Sequence, residues 1–134
     1  MIITIDGPAG TGKSTVAHRV AQKLGFKELD TGALYRAVAA GCLSFQINPH
    51  DGQEVGEFLR AHPLLVDLST PSPTYWINGK DVTPLIRSLE VTSIVSFIAA
   101  NADVRKELLP IQRQIAVGSN IVCEGRDMGT TVFP

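Results

Sequence analysis

The chain opens on Ile2-Ile3-Thr4-Ile5, and an apolar β-branched run closed by Asp6-Gly7 predicts a short buried strand. The pattern then changes period. From Ser14 to Leu24, Val16, Ala17, Val20, Ala21 and Leu24 recur at helical spacing, and Gly25 supplies the C-terminal stop. Phe26–Leu29 reads as a second strand, which a right-handed crossover sets parallel to the first, with Asp30 leaving its carboxyl end. Asp30-Thr31-Gly32 opens a second helix, Ala33 to Phe45, closed ahead of Asn48-Pro49. Asp51 with Glu54 three residues later is a capping-box start for a third helix over Gln53–Ala61.

At Pro63 the texture shifts. Leu64–Leu68 and Thr74–Ile77 are strand-like, and Asn78-Gly79 is a two-residue hairpin signal before Lys80–Val82, so a small antiparallel sheet is expected. Thr83-Pro84 predicts a restart of helix with proline at its tolerated first position, and Leu89–Ala100 continues in helical pattern. Asp103–Ala116 predicts a further helix that Pro110 should kink or split, because it removes one backbone donor. Asn120–Glu124 reads as a buried parallel strand ending in Gly125-Arg126-Asp127-Met128-Gly129. The expectation is an α/β fold: a parallel sheet flanked by helices over residues 1–62 and 101–134, with a small antiparallel-sheet subdomain inserted at 63–100.

Composition narrows the partners. A length of 134 residues, 44% of them hydrophobic, suffices for one buried core. Twelve basic against thirteen acidic residues leave a net charge of −1, which supplies no field for a nucleic-acid polymer. Met1 runs directly into the first strand, and no apolar run approaches the roughly 18 residues of a membrane span, so neither a leader nor a membrane anchor is expected. Cys42 and Cys123 lie far apart without a C-x-x-C or histidine partner, which predicts two buried reduced thiols in a cytoplasmic protein.

The chemistry concentrates at predicted strand ends. Gly7 to Ser14 fits G-x-x-x-x-G-K-[ST] between a strand and a helix, the context of a phosphate-binding loop. Glycines 7, 10 and 12 allow positive φ and close backbone approach, so Gly7, Pro8, Ala9, Gly10, Thr11, Gly12, Lys13, Ser14 and Thr15 form the candidate ATP cradle. Lys13 would act on the β- and γ-phosphates and the Ser14 hydroxyl on magnesium. Glu124, after three apolar residues, stands where an acidic group orients water on that magnesium; it also reads as a loop carboxylate. Arg36 lies about one helical turn beyond Thr31, and with Arg126 it suits a phosphoryl acceptor, since guanidinium forks bind phosphate bidentately. Guanine-specific elements of the N/T-K-x-D and D-x-x-G kinds are absent from the sequence, which disfavours a switch GTPase. These residues leave open a kinase for a hydroxyl acceptor such as shikimate, with Asp30 positioning the alcohol, and a nucleotide-binding module without turnover.

Three signatures carry a closer likeness. Ile3–Pro8 with the loop after it, Leu29-Asp30-Thr31-Gly32-Ala33-Leu34-Tyr35-Arg36, and Gly125–Thr130 with Val132-Phe133-Pro134 resemble those of the bacterial cytidylate kinase family, in the same order. The resemblance implies a P-loop nucleoside-monophosphate-kinase fold that moves the γ-phosphoryl of ATP, with magnesium, to CMP or dCMP. It makes Lys13, Arg36 and Arg126 the catalytic set, puts Asp30, Thr31 and Arg36 at the monophosphate site and Arg126 at its phosphate, and brings Ser96, Arg105 and Asp127 to the cytosine. By residue type alone, Ser96 also reads as a helix hydroxyl and Arg105 as a first-turn surface residue. The family usually has Asp where Glu124 stands and continues past Pro134 into a further core strand and an arginine-bearing lid. The match is therefore to its N-terminal portion, with the C-terminal part of the fold absent, and a monomer is expected.

Overall fold

The computed structural model describes residues 1–7 and 12–125. In chain order its elements are β1 (Ile2–Asp6), α1 (Lys13–Leu24), β2 (Lys27–Asp30), α2 (Thr31–Ser44), α3 (Gly52–Ala61), β3 (Leu65–Asp67), β4 (Thr74–Ile77), β5 (Lys80–Asp81), a 3-10 turn (Thr83–Leu85), α4 (Leu89–Ala100), α5 (Ala102–Ala116) and β6 (Ile121–Gly125). The chain divides into two units, Met1–Gly32 with Gln112–Pro134, and Ala33–Ile111.

The first unit holds a parallel sheet in the order β1-β6-β2. The two strands nearest in sequence are parallel as expected, but β6 enters between them, pairing Ile2–Asp6 with Ile121–Gly125 and Lys27–Asp30 with Ile121–Glu124. Every residue of β6 is buried, which accounts for its unbroken apolar start at Ile121-Val122-Cys123. On one face, Val122 packs with Ala17 and Ala21 of α1, and Ile3, Ile5, Val20 and Phe26 close around them. Two alanines four residues apart let the helix lie close to the strand. Each fully buried aliphatic side chain here contributes about 1.5 to 3 kcal/mol. Because side chains alternate along a strand, Glu124 shares the face of Val122, the face covered by α1. That alternation builds the site described below.

The second unit holds the antiparallel sheet β3-β4-β5 and the helices around it. Asn78 (φ 48°) and Gly79 (φ 74°) both take positive φ, as a primed two-residue hairpin between β4 and β5 requires. In α2, residues 37–42 are all buried, so no stripe of that stretch faces solvent. Gly41 admits Ile77 so closely that a Cβ would stand 3.0 Å from two of its carbons. At α3, Asp51 accepts from the Glu54 N–H at 3.2 Å, confirming that helix start.

Two expectations change. The helix expected to restart at Thr83-Pro84 is only a 3-10 turn, since Thr83 Oγ1 accepts from the Tyr75 N–H at 2.8 Å and the Thr83 N–H donates to Asp81 at 2.9 Å. Those bonds hold the segment to the sheet. The next helix begins afresh at Leu89, with Ser88 Oγ accepting from the Val91 N–H at 3.3 Å. Pro110 does not split α5, which runs unbroken from Ala102 to Ala116. Its exposed ring removes one donor, while buried Leu108 and Gln112 hold the turns on either side. Among the described residues, no helix is long and apolar enough to cross a membrane.

Candidate functional site

In the first unit, the start of α1 and the carboxyl ends of β2 and β6 bring five sequence-predicted residues together. Gly12 caps α1 at φ +81°, a backbone conformation that side-chain-bearing residues rarely adopt, so glycine is required there. The Gly7 N–H donates to the Gly125 carbonyl at 3.1 Å and continues the β1–β6 ladder by one residue. The loop's first glycine is thus an extension of the sheet. Lys13 and Ser14 occupy the first turn of α1, with Thr15 exposed beside them.

Ser14 Oγ donates to Glu124 Oε1 at 2.8 Å across 110 positions of sequence. Thr31 Oγ1, on a residue only 4% exposed, donates to the Glu124 backbone carbonyl at 2.8 Å. One residue of the central strand therefore receives a bond from the start of each flanking helix. Asp30 stands opposite Glu124 in the β2–β6 register, so the two carboxylates share a face. Glu124 is 2% exposed, and its second oxygen, Oε2, is buried without a hydrogen-bond partner among the described residues.

Burial pushes the Glu124 carboxyl above its ordinary range. The bond from Ser14 pulls it back, the charge of neighbouring Asp30 raises it again, and the Lys13 ammonium lowers it. A carboxylate in the middle of a parallel sheet is expensive for the fold, and an orphaned oxygen makes it more so. The arrangement suits a hard cation. Its donors are all oxygens, a hydroxyl and carboxylates, the set magnesium prefers. Among the described residues no cluster of three His, Cys, Asp or Glu groups could hold a metal alone.

In the second unit, Arg36 is half-buried on α2. Its Nη1 donates to the Ile86 carbonyl at 3.0 Å and to Thr92 Oγ1, also at 3.0 Å. Ser96 is exposed on α4, one helical turn after Thr92, and Arg105 is exposed in the first turn of α5. Both cysteines are free and buried, with burial raising Cys42 to about 12, helped by the charge of Glu54, and Cys123 to about 11.

A sequence profile of the cytidylate kinases matches residues 3–134. The chain belongs to the cytidylate kinase family. It is 44% identical to the cytidylate kinase of Shouchella clausii over 98% of this chain and 59% of that protein. With the cytidylate kinase of Protochlamydia amoebophila it shares 47% identity over 100% of this chain and 59% of the relative. It also matches the bifunctional pantoate ligase/cytidylate kinase of Prochlorococcus marinus (strain MIT 9303) at 48% identity, over 99% of this chain and 28% of that longer protein. The chain spans about three-fifths of the length of the first two relatives.

Within this member of the family, Gly7, Gly12, Lys13, Ser14, Asp30, Thr31 and Glu124 are described in the first unit, and Arg36, Ser96 and Arg105 in the second. Pro8, Ala9, Gly10, Thr11, Arg126 and Asp127 lie outside the described residues. Sequence reasoning missed the two partners of Arg36, Ile86 and Thr92. A backbone carbonyl carries no residue-type signal, and Thr92 sits 56 positions away in an ordinary helical pattern.

Proposed function

We propose that the protein transfers the γ-phosphoryl of ATP to CMP or dCMP, giving CDP or dCDP. The observation that carries this reading is the Ser14–Glu124 hydrogen bond, which joins the phosphate-loop helix to a buried carboxylate at the end of the central strand. Gly7 to Thr15 cradle the triphosphate, and Lys13 neutralises charge on its β- and γ-phosphates. Ser14 and, through water, Glu124 would hold magnesium, which when bound supplies further charge neutralisation there.

The acceptor needs little activation. A nucleoside monophosphate has a second phosphate pKa of about 6, so its attacking oxygen is largely anionic at neutral pH and no general base is required. Arg36 and Arg126 are assigned to that phosphate, where guanidinium forks spread the charge of the transferring group, and Asp30 and Thr31 are assigned to the monophosphate site. The segment 63–100 serves as the monophosphate-binding insert. Asp127 and Ser96 accept from the cytosine N4 amine, and Arg105 donates to N3 or O2. Small charged substrates and two buried free thiols fit a cytoplasmic enzyme.

The test is ADP release by the full-length protein with CMP, dCMP, UMP and shikimate as acceptors. Uracil presents an acceptor where cytosine presents the N4 donor, and each lost pairing costs about 1 to 3 kcal/mol. CMP should therefore exceed UMP in kcat/KM by about one to two powers of ten. Equal rates would refute the base reading. ATP binding without ADP release for any acceptor would refute the kinase reading.

A further inference from the structure

Arg36 is more constrained than its place one turn into α2 requires. The two hydrogens of Nη1 are both committed, one to the Ile86 carbonyl at the end of the 3-10 turn and one to Thr92 Oγ1 on α4. The Thr92 hydroxyl has a single proton, and it donates that proton to the Ser88 carbonyl at 2.9 Å. Its lone pairs are thereby turned toward the guanidinium. Ser88 is itself the cap of α4, so the chain of bonds ends on a fixed helix start. Among the described residues, Nε and Nη2 of Arg36 donate to nothing. These two nitrogens form one straight edge of the planar guanidinium, the edge that takes two oxygens of a phosphate in parallel.

We propose that Thr92 is a positioning residue for the acceptor: its hydroxyl locks Arg36 so that the Nε/Nη2 edge is presented to the monophosphate. This rests on the reading of Arg36 as the acceptor-phosphate ligand. Thr92 also lies four residues before Ser96, one turn and about 6 Å along the same face of α4. The anchor therefore sets the phosphate-binding edge at a fixed distance from the hydroxyl assigned to the base. A nucleoside without its phosphate makes no use of the Arg36 edge. Free arginines lose rotamer entropy on binding; an arginine held beforehand has lost it during folding.

The experiment is steady-state kinetics on the full-length protein with Thr92→Val, Thr92→Ser and Arg36→Lys, together with the inhibition constant of cytidine. Thr92→Val keeps the shape and removes the hydroxyl, so KM for CMP should rise about five- to tenfold, the size of one partly exposed charge-assisted hydrogen bond. KM for ATP and the cytidine inhibition constant should stay within about twofold of wild type, because neither contact involves the acceptor phosphate. Thr92→Ser should restore KM for CMP. Arg36→Lys, which cannot offer a planar fork, should raise it further than Thr92→Val. An unchanged KM for CMP in Thr92→Val beside a damaged Arg36→Lys overturns the positioning role and leaves the reading of Arg36 intact. An Arg36→Lys enzyme with normal CMP affinity overturns that reading and the positioning role with it. Parallel losses for CMP, ATP and cytidine in Thr92→Val, or no rescue by serine, make Thr92 a structural residue and refute the proposal.

Discussion

Glu124→Gln should make the protein more stable at neutral pH while slowing the phosphoryl transfer proposed for it. The substitution keeps the side-chain shape and the Oε1 acceptor for Ser14, and it removes a negative charge from a residue that is 2% exposed and faces Asp30 in register. Burial, then the Asp30 carboxylate, holds the Glu124 pKa above its ordinary value of 4.5, against the opposing pull of Ser14 and Lys13. The folded protein thus binds this proton more tightly than the unfolded chain does. Stability from the group is complete below pH 4.5 and is lost as pH rises through the raised, folded-state value. Each unit by which the pKa is raised corresponds to about 1.4 kcal/mol at neutral pH. For a chain of this length, 1 kcal/mol moves Tm by about 3 to 4 °C, so each unit is worth about 5 °C. Scanning calorimetry of wild type and Glu124→Gln from pH 4 to 8 checks this. The variant's advantage in Tm should be smallest at pH 4 and grow toward pH 7, while its kinase rate with magnesium falls about 10- to 100-fold. A Tm difference that is flat across this range, or largest at low pH, would refute the assignment of Glu124 as a buried carboxylate kept at the expense of the fold.

Gly52→Ala should destabilise, although alanine is ordinarily the better helix former. A Cβ at Gly52 would run into the Asn101 side chain, whose Oδ1 caps α5 by accepting from the Asp103 and Val104 N–H groups at 2.9 and 3.2 Å. Losing that cap costs about 1 kcal/mol, and a Tm that stays level or rises would show that Asn101 moves aside freely. The thiols give a chemical check. With Cys123 at about 11 and Cys42 at about 12, the thiolate fraction at pH 8 is on the order of one in a thousand or less, before burial limits access. Both should resist iodoacetamide in the folded protein and react in denaturant, and rapid labelling of either under native conditions would contradict its burial.

Some of this molecule was legible residue by residue. Gly12 before Lys13, the apolar positions of α1, the Asn78-Gly79 hairpin and the cap at Asp51 all act within a few residues, through φ limits and local hydrogen bonds, so sequence alone determines them. The buried character of β6 also follows from its apolar run, as does the placing of Glu124 at its end. The order of strands does not. Parallel pairing of β2 beside β1 or with β6 between them satisfies the same crossover rule, and only packing of the whole sheet selects the second. The same limit applies to Pro110, where local chemistry predicts a kink or a split and α5 nevertheless runs unsplit from Ala102 to Ala116, with Leu108 and Gln112 buried on either side. It applies most strongly to the side-chain partners. Sequence supplied Ser14, Glu124 and Arg36 as candidate types, but a bond across 110 positions and a guanidinium tied to Ile86 and Thr92 exist only once distant segments are packed. Local propensities carry no record of which remote hydroxyl or carbonyl will lie within 3 Å, because tertiary contacts of the whole chain, and not the residue's neighbours, bring that atom there.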